Sequence, residues 1–262
     1  MRRFAAFLLL IGLFAAAAPA AAQTPEERGR LDWVQQRGRL LFEIDRAAWV
    51  TTDDLRARNG LTNEILGWTV ERDRDGYIVV YYARGEGDAL VAVYIARVVD
   101  RRVVSAELFP AGQRPPLTPT QNRIAAARGA LRGVTVTTCT NSRPNIAVIP
   151  PDRADGPIDV YVLTAQTEAG VYPFGGHHLL TIGADDRVVS QRAFTNSCLN
   201  MTREAPGGGN VAALTITHLL DPVPTEIHVF MSIWVGLPLF VGIGGRVWEV
   251  TGDSISLVDD RN

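Results

Sequence analysis

Residues 68–109 read WTVERDRDGYIVVYYARGEGDALVAVYIARVVDRRVVSAELF, and this stretch decides the fold class. Its apolar residues are mostly β-branched or aromatic, and they fall into four runs at 68–71, 77–83, 90–99 and 103–109. Side chains of that shape pack well on a pleated surface and favour strands. The runs are separated by Asp75-Gly76, Gly85-Glu86-Gly87-Asp88 and Asp100-Arg101, which are turn-forming steps. Strands joined by such short breaks fold back on their neighbours, so the stretch predicts an antiparallel meander.

On its N-terminal side the chain reads as helix. Thr24-Pro25-Glu26-Glu27 combines an N-cap residue, a proline at the first helical position and a capping-box glutamate. Leu31, Val34, Leu41, Ile44 and Ala48 then recur at mostly helical spacing up to about Trp49. A second short helix is expected over 52–58, stopped by Asn59-Gly60. On the C-terminal side, residues 110–119 carry four prolines and a glycine and read as a linker. Thr118-Pro119-Thr120-Gln121 opens a helix to about Arg132, with Ile124, Ala127 and Leu131 on one face. Further strands are expected around 158–164, 178–182, 188–194 and 211–219.

The pattern is α+β, mainly antiparallel sheets with a few helices in two β-rich lobes. Residues 23–112 would hold the N-terminal helix and the meander. Residues 113–262 would form a C-terminal α+β lobe with a disulfide. Arg187-Val188-Val189-Ser190 followed by Phe194 echoes Arg102-Val103-Val104-Ser105 followed by Phe109, at an offset of 85 residues. Both stretches read as the second strand of a tight hairpin. Duplication and shared hairpin chemistry each explain the echo.

Residues 1–22 have the layout of a secretory signal peptide: Arg2 and Arg3, an apolar run over 4–17, and Ala20-Ala21-Ala22 before Gln23. The run is shorter than the roughly 20 residues a spanning helix needs. A mature protein of 262 − 22 = 240 residues in the periplasm or outside the cell is expected, without an integral membrane segment. Residues 227–243 are apolar, but His228, Gly236 and Pro238 within them favour a buried helix or strand pair. The formal net charge of −2 becomes −4 without Arg2 and Arg3, and the 26 basic residues are all arginine and scattered. That balance gives no basis for nucleic acid as a partner. Cys139 and Cys198 are the chain's two cysteines, and in an oxidising compartment they are expected to pair across 59 positions. Two buried free thiols are the alternative.

The residues that could carry chemistry are His177, His178, His218, Asp221, Glu226 and His228. The stretch from Thr217 to His228 concentrates zinc-type ligands around two prolines. If 221–224 is a hairpin loop, His218 and His228 become cross-strand neighbours and Glu226 shares the face of His228. That arrangement would suit a metal held by His218, His228 and Glu226. Alternatively Pro224-Thr225 opens a short helix with Ile227, Phe230, Met231 and Trp234 on one face, since both periods fit. In a third reading the histidines are half-buried polar pairs that bind nothing, and no cofactor is expected.

Across 215–250 the chain resembles the closing part of the JAB/MPN metalloprotease fold. The likeness lies in His218, Pro224-Thr225, the run GLPLFV at 236–241 and Gly245-Arg246-Val247-Trp248. In that family two histidines one residue apart and a downstream aspartate bind zinc, and a glutamate is the general base. Here Ile216 stands at the first histidine, and His228 or Val229 stands near the aspartate. The resemblance implies a degenerate member. Asp45-Arg46-Ala47-Ala48-Trp49, Phe174-Gly175-Gly176-His177-His178 and Ser197-Cys198-Leu199 are similar to recurring features of uncharacterised exported bacterial proteins, which assigns no function.

The leading expectation is an exported, non-catalytic binding or interaction protein. One alternative is a zinc-dependent hydrolase using His218 and His228 with Glu226 or His178. The other is an envelope assembly factor, which an exposed apolar patch around Trp234 would mark.

Overall fold

The computed structural model describes residues 23–151, 153, 155–205 and 207–258. The expected signal segment, 1–22, lies outside the described residues.

Helix α1, Pro25–Ala57, begins as anticipated, with the Thr24 hydroxyl accepting from the Glu27 N–H at 3.1 Å. It runs on through the point where two helices were expected. Thr51 and Thr52 donate their hydroxyls to the Ala47 and Ala48 carbonyls, each at 2.7 Å. Their polar groups are thus satisfied one turn back, and the β-branched run does not break the helix. The Asn-Gly stop holds: Asn59 takes φ 55° and the Gly60 N–H donates to the Leu55 carbonyl at 2.9 Å.

The meander forms β1 (Gly67–Asp73), β2 (Gly76–Arg84), β3 (Leu90–Val99) and β4 (Arg102–Leu108), an antiparallel sheet in that order. The proline-rich stretch after it is docked on β3, since Ala92 N–H donates to the Pro115 carbonyl and Leu117 N–H to that of Leu90. Helix α2, Pro119–Gly129, starts with a Thr118–Gln121 capping box. A second antiparallel sheet follows in the order β5 (Asn145–Ile149), β6 (Ile158–Leu163), β8 (His178–Ile182), β9 (Val188–Ala193). The short β7 (Val171–Pro173) pairs with β10 (Asn200–Thr202).

The last sheet contains β11 (Leu214–Thr217), β12 (Leu239–Ile243), β13 (Arg246–Thr251) and β14 (Ser254–Leu257). β11 and β12 are parallel, and α3, Glu226–Val235, supplies the crossover that parallel strands need. The strand expected over 211–219 is therefore only four residues long. The architecture is α+β with mostly antiparallel sheets. Among the described residues no helix is long and apolar enough to cross a membrane.

The echo at 85 residues extends to backbone geometry. β4 and β9 are each the last strand of a four-stranded antiparallel sheet. Pairing shifts between Arg97↔Ser105 and Val98↔Val103, and again between Thr181↔Ser190 and Ile182↔Val188. The bulged residues are Val104 and Val189, 54% and 63% exposed.

One apolar core joins α1 to all three large sheets and to α3, through residues such as Leu41, Tyr81, Tyr161, Phe230 and Trp248. Burying a large apolar side chain of this kind stabilises by about 1.5–3 kcal/mol. Cys139 and Cys198 form the expected disulfide, with Cα atoms 5.4 Å apart, tying the loop after α2 to the loop after β9.

Candidate functional site

The turn after β11 places His218 and Asp221, and the first turn of α3 places Glu226 and His228. Of the two readings left open for 217–228, the hairpin and the helix, the helix is the one that forms. Thr225 caps it, and its N–H and hydroxyl both donate to His228 Nδ1, at 2.8 and 3.0 Å. His218 and His228 are therefore not cross-strand neighbours. Their rings still meet edge to face, with centroids 4.7 Å apart.

Asp221 organises the pair. It bonds His218 Nε2 at 2.9 Å, takes a two-pronged contact from Arg192 at 2.6 and 3.1 Å, and accepts from Arg30 at 3.2 Å. Burial alone would raise its carboxyl. The bonds from His218 and Arg192, with the arginine charge, outweigh burial and hold it well below the usual range. His228 moves the other way: burial and the neighbouring His218 ring bring it down to about 3. It is a neutral imidazole at physiological pH.

Glu226 belongs to a second, adjoining network. The Tyr161 hydroxyl donates to its Oε1 at 3.0 Å and accepts from Arg37 Nε at 3.2 Å. Arg37 also pairs with Asp159, which accepts from the Thr181 hydroxyl at 2.9 Å. Burial raises the Glu226 carboxyl, and burial with the Glu226 charge raises the Tyr161 phenol. His177 and His178 do not share a hydrogen bond with either network. His177 accepts from the Thr164 N–H at 3.2 Å and donates to the Pro173 carbonyl at 2.9 Å, while His178 donates to that of Thr137 at 2.8 Å.

The candidate metal ligands are divided between the two networks, with His218 and His228 in one and Glu226 in the other. Among the described residues, no three His, Cys, Asp or Glu side chains are placed to share a metal ion. Asp221 is engaged by two arginines and a histidine, and Glu226 by Tyr161. Trp234 is half-buried, with its ring centroid 5.4 Å from that of Tyr172 and 5.6 Å from that of Phe230.

A feature that the sequence reading missed lies on the other flank of Arg37. An open groove of ≈ 1110 Å³ runs along α1, between β1 and the end of β5. Its apolar floor includes Leu40, Ile44, Val70, Tyr77, Val98 and Ile149. Its rim carries both signs of charge, with Arg39, Arg72 and Arg101 among Glu43, Glu71 and Asp100. Pro150-Pro151 after β5 was the one local signal, since adjacent prolines end a strand and keep its edge from pairing. The comparisons with family models, curated proteins and solved structures find no match for this chain.

Proposed function

We propose that the protein is an exported, non-catalytic binding protein, and that its ligand lies in the groove along α1. The groove itself carries this reading. At ≈ 1110 Å³ it reaches just past the usual small-molecule pocket, about 300–1,000 Å³. An apolar floor with a rim of mixed charge suits a ligand held by contact area and aligned by charge. The signal-like segment and the Cys139–Cys198 disulfide support an oxidising compartment, periplasmic or extracellular. The polar networks around His218 and Glu226 then serve as internal braces that hold α1, α3 and the second sheet together.

Titration of ¹⁵N-labelled mature protein with a fragment library tests the reading. Shifts gathered at Tyr77, Val98 and Ile149 are the expected result. Shifts gathered at His218 and His228, or none at all, would defeat it. A JAB/MPN-type zinc hydrolase is the alternative favoured by the His218–His228 ring contact. One tightly held zinc per chain, lost in His218→Ala, would make it the leading reading.

A further inference from the structure

Arg37, Arg97, Arg114 and Arg246 are half-buried, and each is paired with a carboxylate, of Asp159, Asp73, Glu64 and Glu27 in turn. Arg128 is half-buried too, in the last turn of α2, and has no acid partner among the described residues. Its Nη1 donates to the Ile146 carbonyl at 3.0 Å, and its guanidinium lies 4.1 Å from the Trp68 ring centroid. These contacts use one nitrogen and one face. The Nε–Nη2 edge, which can grip a carboxylate through two parallel bonds, is left over.

That leftover charge is costly where it stands. Burial lowers the Arg128 pKa, and only the Tyr82 and Tyr81 phenols pull it back. The C-terminal end of α2 favours a cation, but it offers only about half a unit charge spread over several carbonyls. Glu71 on β1 is bonded to Gln121, and Asp53, close enough to act on Tyr81, is paired with Arg56. Neither is spare.

A second donor meets the same space. Gly67 and Tyr82 are directly opposite on β1 and β2, so their side-chain directions share the face of the sheet on which α2 packs. A Cβ on residue 67 would lie 2.8 Å from Arg128 Nε and 2.8 Å from the Tyr82 hydroxyl oxygen. With glycine there, both donors converge above its Cα at hydrogen-bonding distance from one point. Tyr82 is 4% exposed, and its hydroxyl has no hydrogen-bond partner among the described residues. Burial raises the phenol against the pull of Arg128 and Arg132, so it keeps its proton and can donate. Arg132, one turn further on, is exposed and adds positive charge beside that hydroxyl.

The geometry points to a binding site for the carboxylate of a small organic acid, gripped by the Nε–Nη2 edge of Arg128 and by the Tyr82 hydroxyl over Gly67. A carboxylate fits because it is planar, brings a single charge to a single half-buried cation, and has lone pairs for a third donor beside the guanidinium fork. The exposed Arg132 would draw the anion in. Val70 and Gly67 point to opposite faces of the sheet, so this site lies on its α2 side and the groove on its α1 side. Neither reading depends on the other.

The test titrates ¹⁵N-labelled mature protein with sodium acetate and sodium benzoate at constant ionic strength, with benzamide as the uncharged counterpart. The Arg128 Nε–H signal and the amides of Gly67 and Tyr82 should shift and saturate with the two acids, and stay in place with benzamide. Tyr82→Phe keeps the ring and its packing and removes one donor, so it should weaken binding by about tenfold. Arg128→Gln should abolish saturation. Tyr82→Phe decides by itself if Arg128→Gln does not fold.

Shifts that sodium chloride reproduces, or that never saturate, would reduce the site to a screened charge and overturn the inference. Binding that Tyr82→Phe leaves unchanged would overturn it as well. Saturation by phosphate and by neither acid would assign another anion, and the carboxylate reading would fall.

Discussion

Gly38 of α1 and Val229 of α3 approach so closely that a Cβ on residue 38 would lie 2.5 Å from the Val229 Cβ. The same Cβ would be 2.6 Å from the Glu226 carbonyl oxygen. The missing side chain lets the N-terminal helix seat on the helix that carries Glu226 and His228. Gly38→Ala should therefore destabilise the protein. Better helix propensity would add about 1 kcal/mol, but forcing the helices apart costs about 1–3 kcal/mol. Urea unfolding should show a lower midpoint, and an unchanged or higher one would mean that the helices separate freely.

Asp221 is buried among His218, Arg192 and Arg30. Asp221→Asn keeps the shape and removes the charge, leaving Arg192 and Arg30 without their counterion. A loss of about 1–3 kcal/mol is expected, because Asp221 is buried but its arginine partners stay 38% and 47% exposed, which screens the pairing. Chemical denaturation at neutral pH measures it, and a loss under about 1 kcal/mol would show that the cluster does not brace α1 against the C-terminal half.

Acid should weaken the fold through its histidines. Burial brings His177 down to about 4 and His228 to about 3, whereas both titrate near 6.5 when unfolded. The unfolded chain thus takes up protons first. The stabilisation is complete above about pH 6.5 and is lost as the pH falls toward 4 and then 3, on the order of a few kcal/mol. The half-buried Asp45 opposes this, because burial lifts its carboxyl to about 7 against the pull of Arg46. Its proton favours the folded state, so its share of stability grows as the pH drops from 7 toward 3.8. Asp45→Asn should stabilise at pH 7.5 and steepen the loss between pH 6.5 and 4. Unfolding free energies across that range check both signs, and a flatter profile in Asp45→Asn would contradict the assignment.

Replacing Cys139 and Cys198 together by alanine removes a bridge spanning 59 positions. On chain-entropy grounds the cost is about 4 kcal/mol. Thermal unfolding of the double variant, compared with the oxidised protein, should show the difference. Equal melting temperatures would mean that the loops are held by packing alone.

What could be read from the sequence was local. The Thr24 and Thr118 caps, the Asn59-Gly60 stop and the turns of the meander each depend on a few adjacent residues, and each lies where the pattern put it. The break expected before Thr52 failed because threonine hydroxyls can be satisfied inside a helix, which composition does not reveal. Between His218 and His228 both periods fitted, and the Thr225–His228 cap decided for the helix. The groove was not legible because its walls come from α1, β1, the turn after β3 and the end of β5, brought together only by the tertiary fold.

Amide hydrogen exchange around the groove tests the central claim most directly. A fragment that binds the mature protein should slow exchange in the segments that line the groove, 39–47, 71–77 and 98–101, and leave 217–228 unchanged. Protection gathered around His218 and His228, or no change in the groove segments when a fragment is bound, would contradict the account.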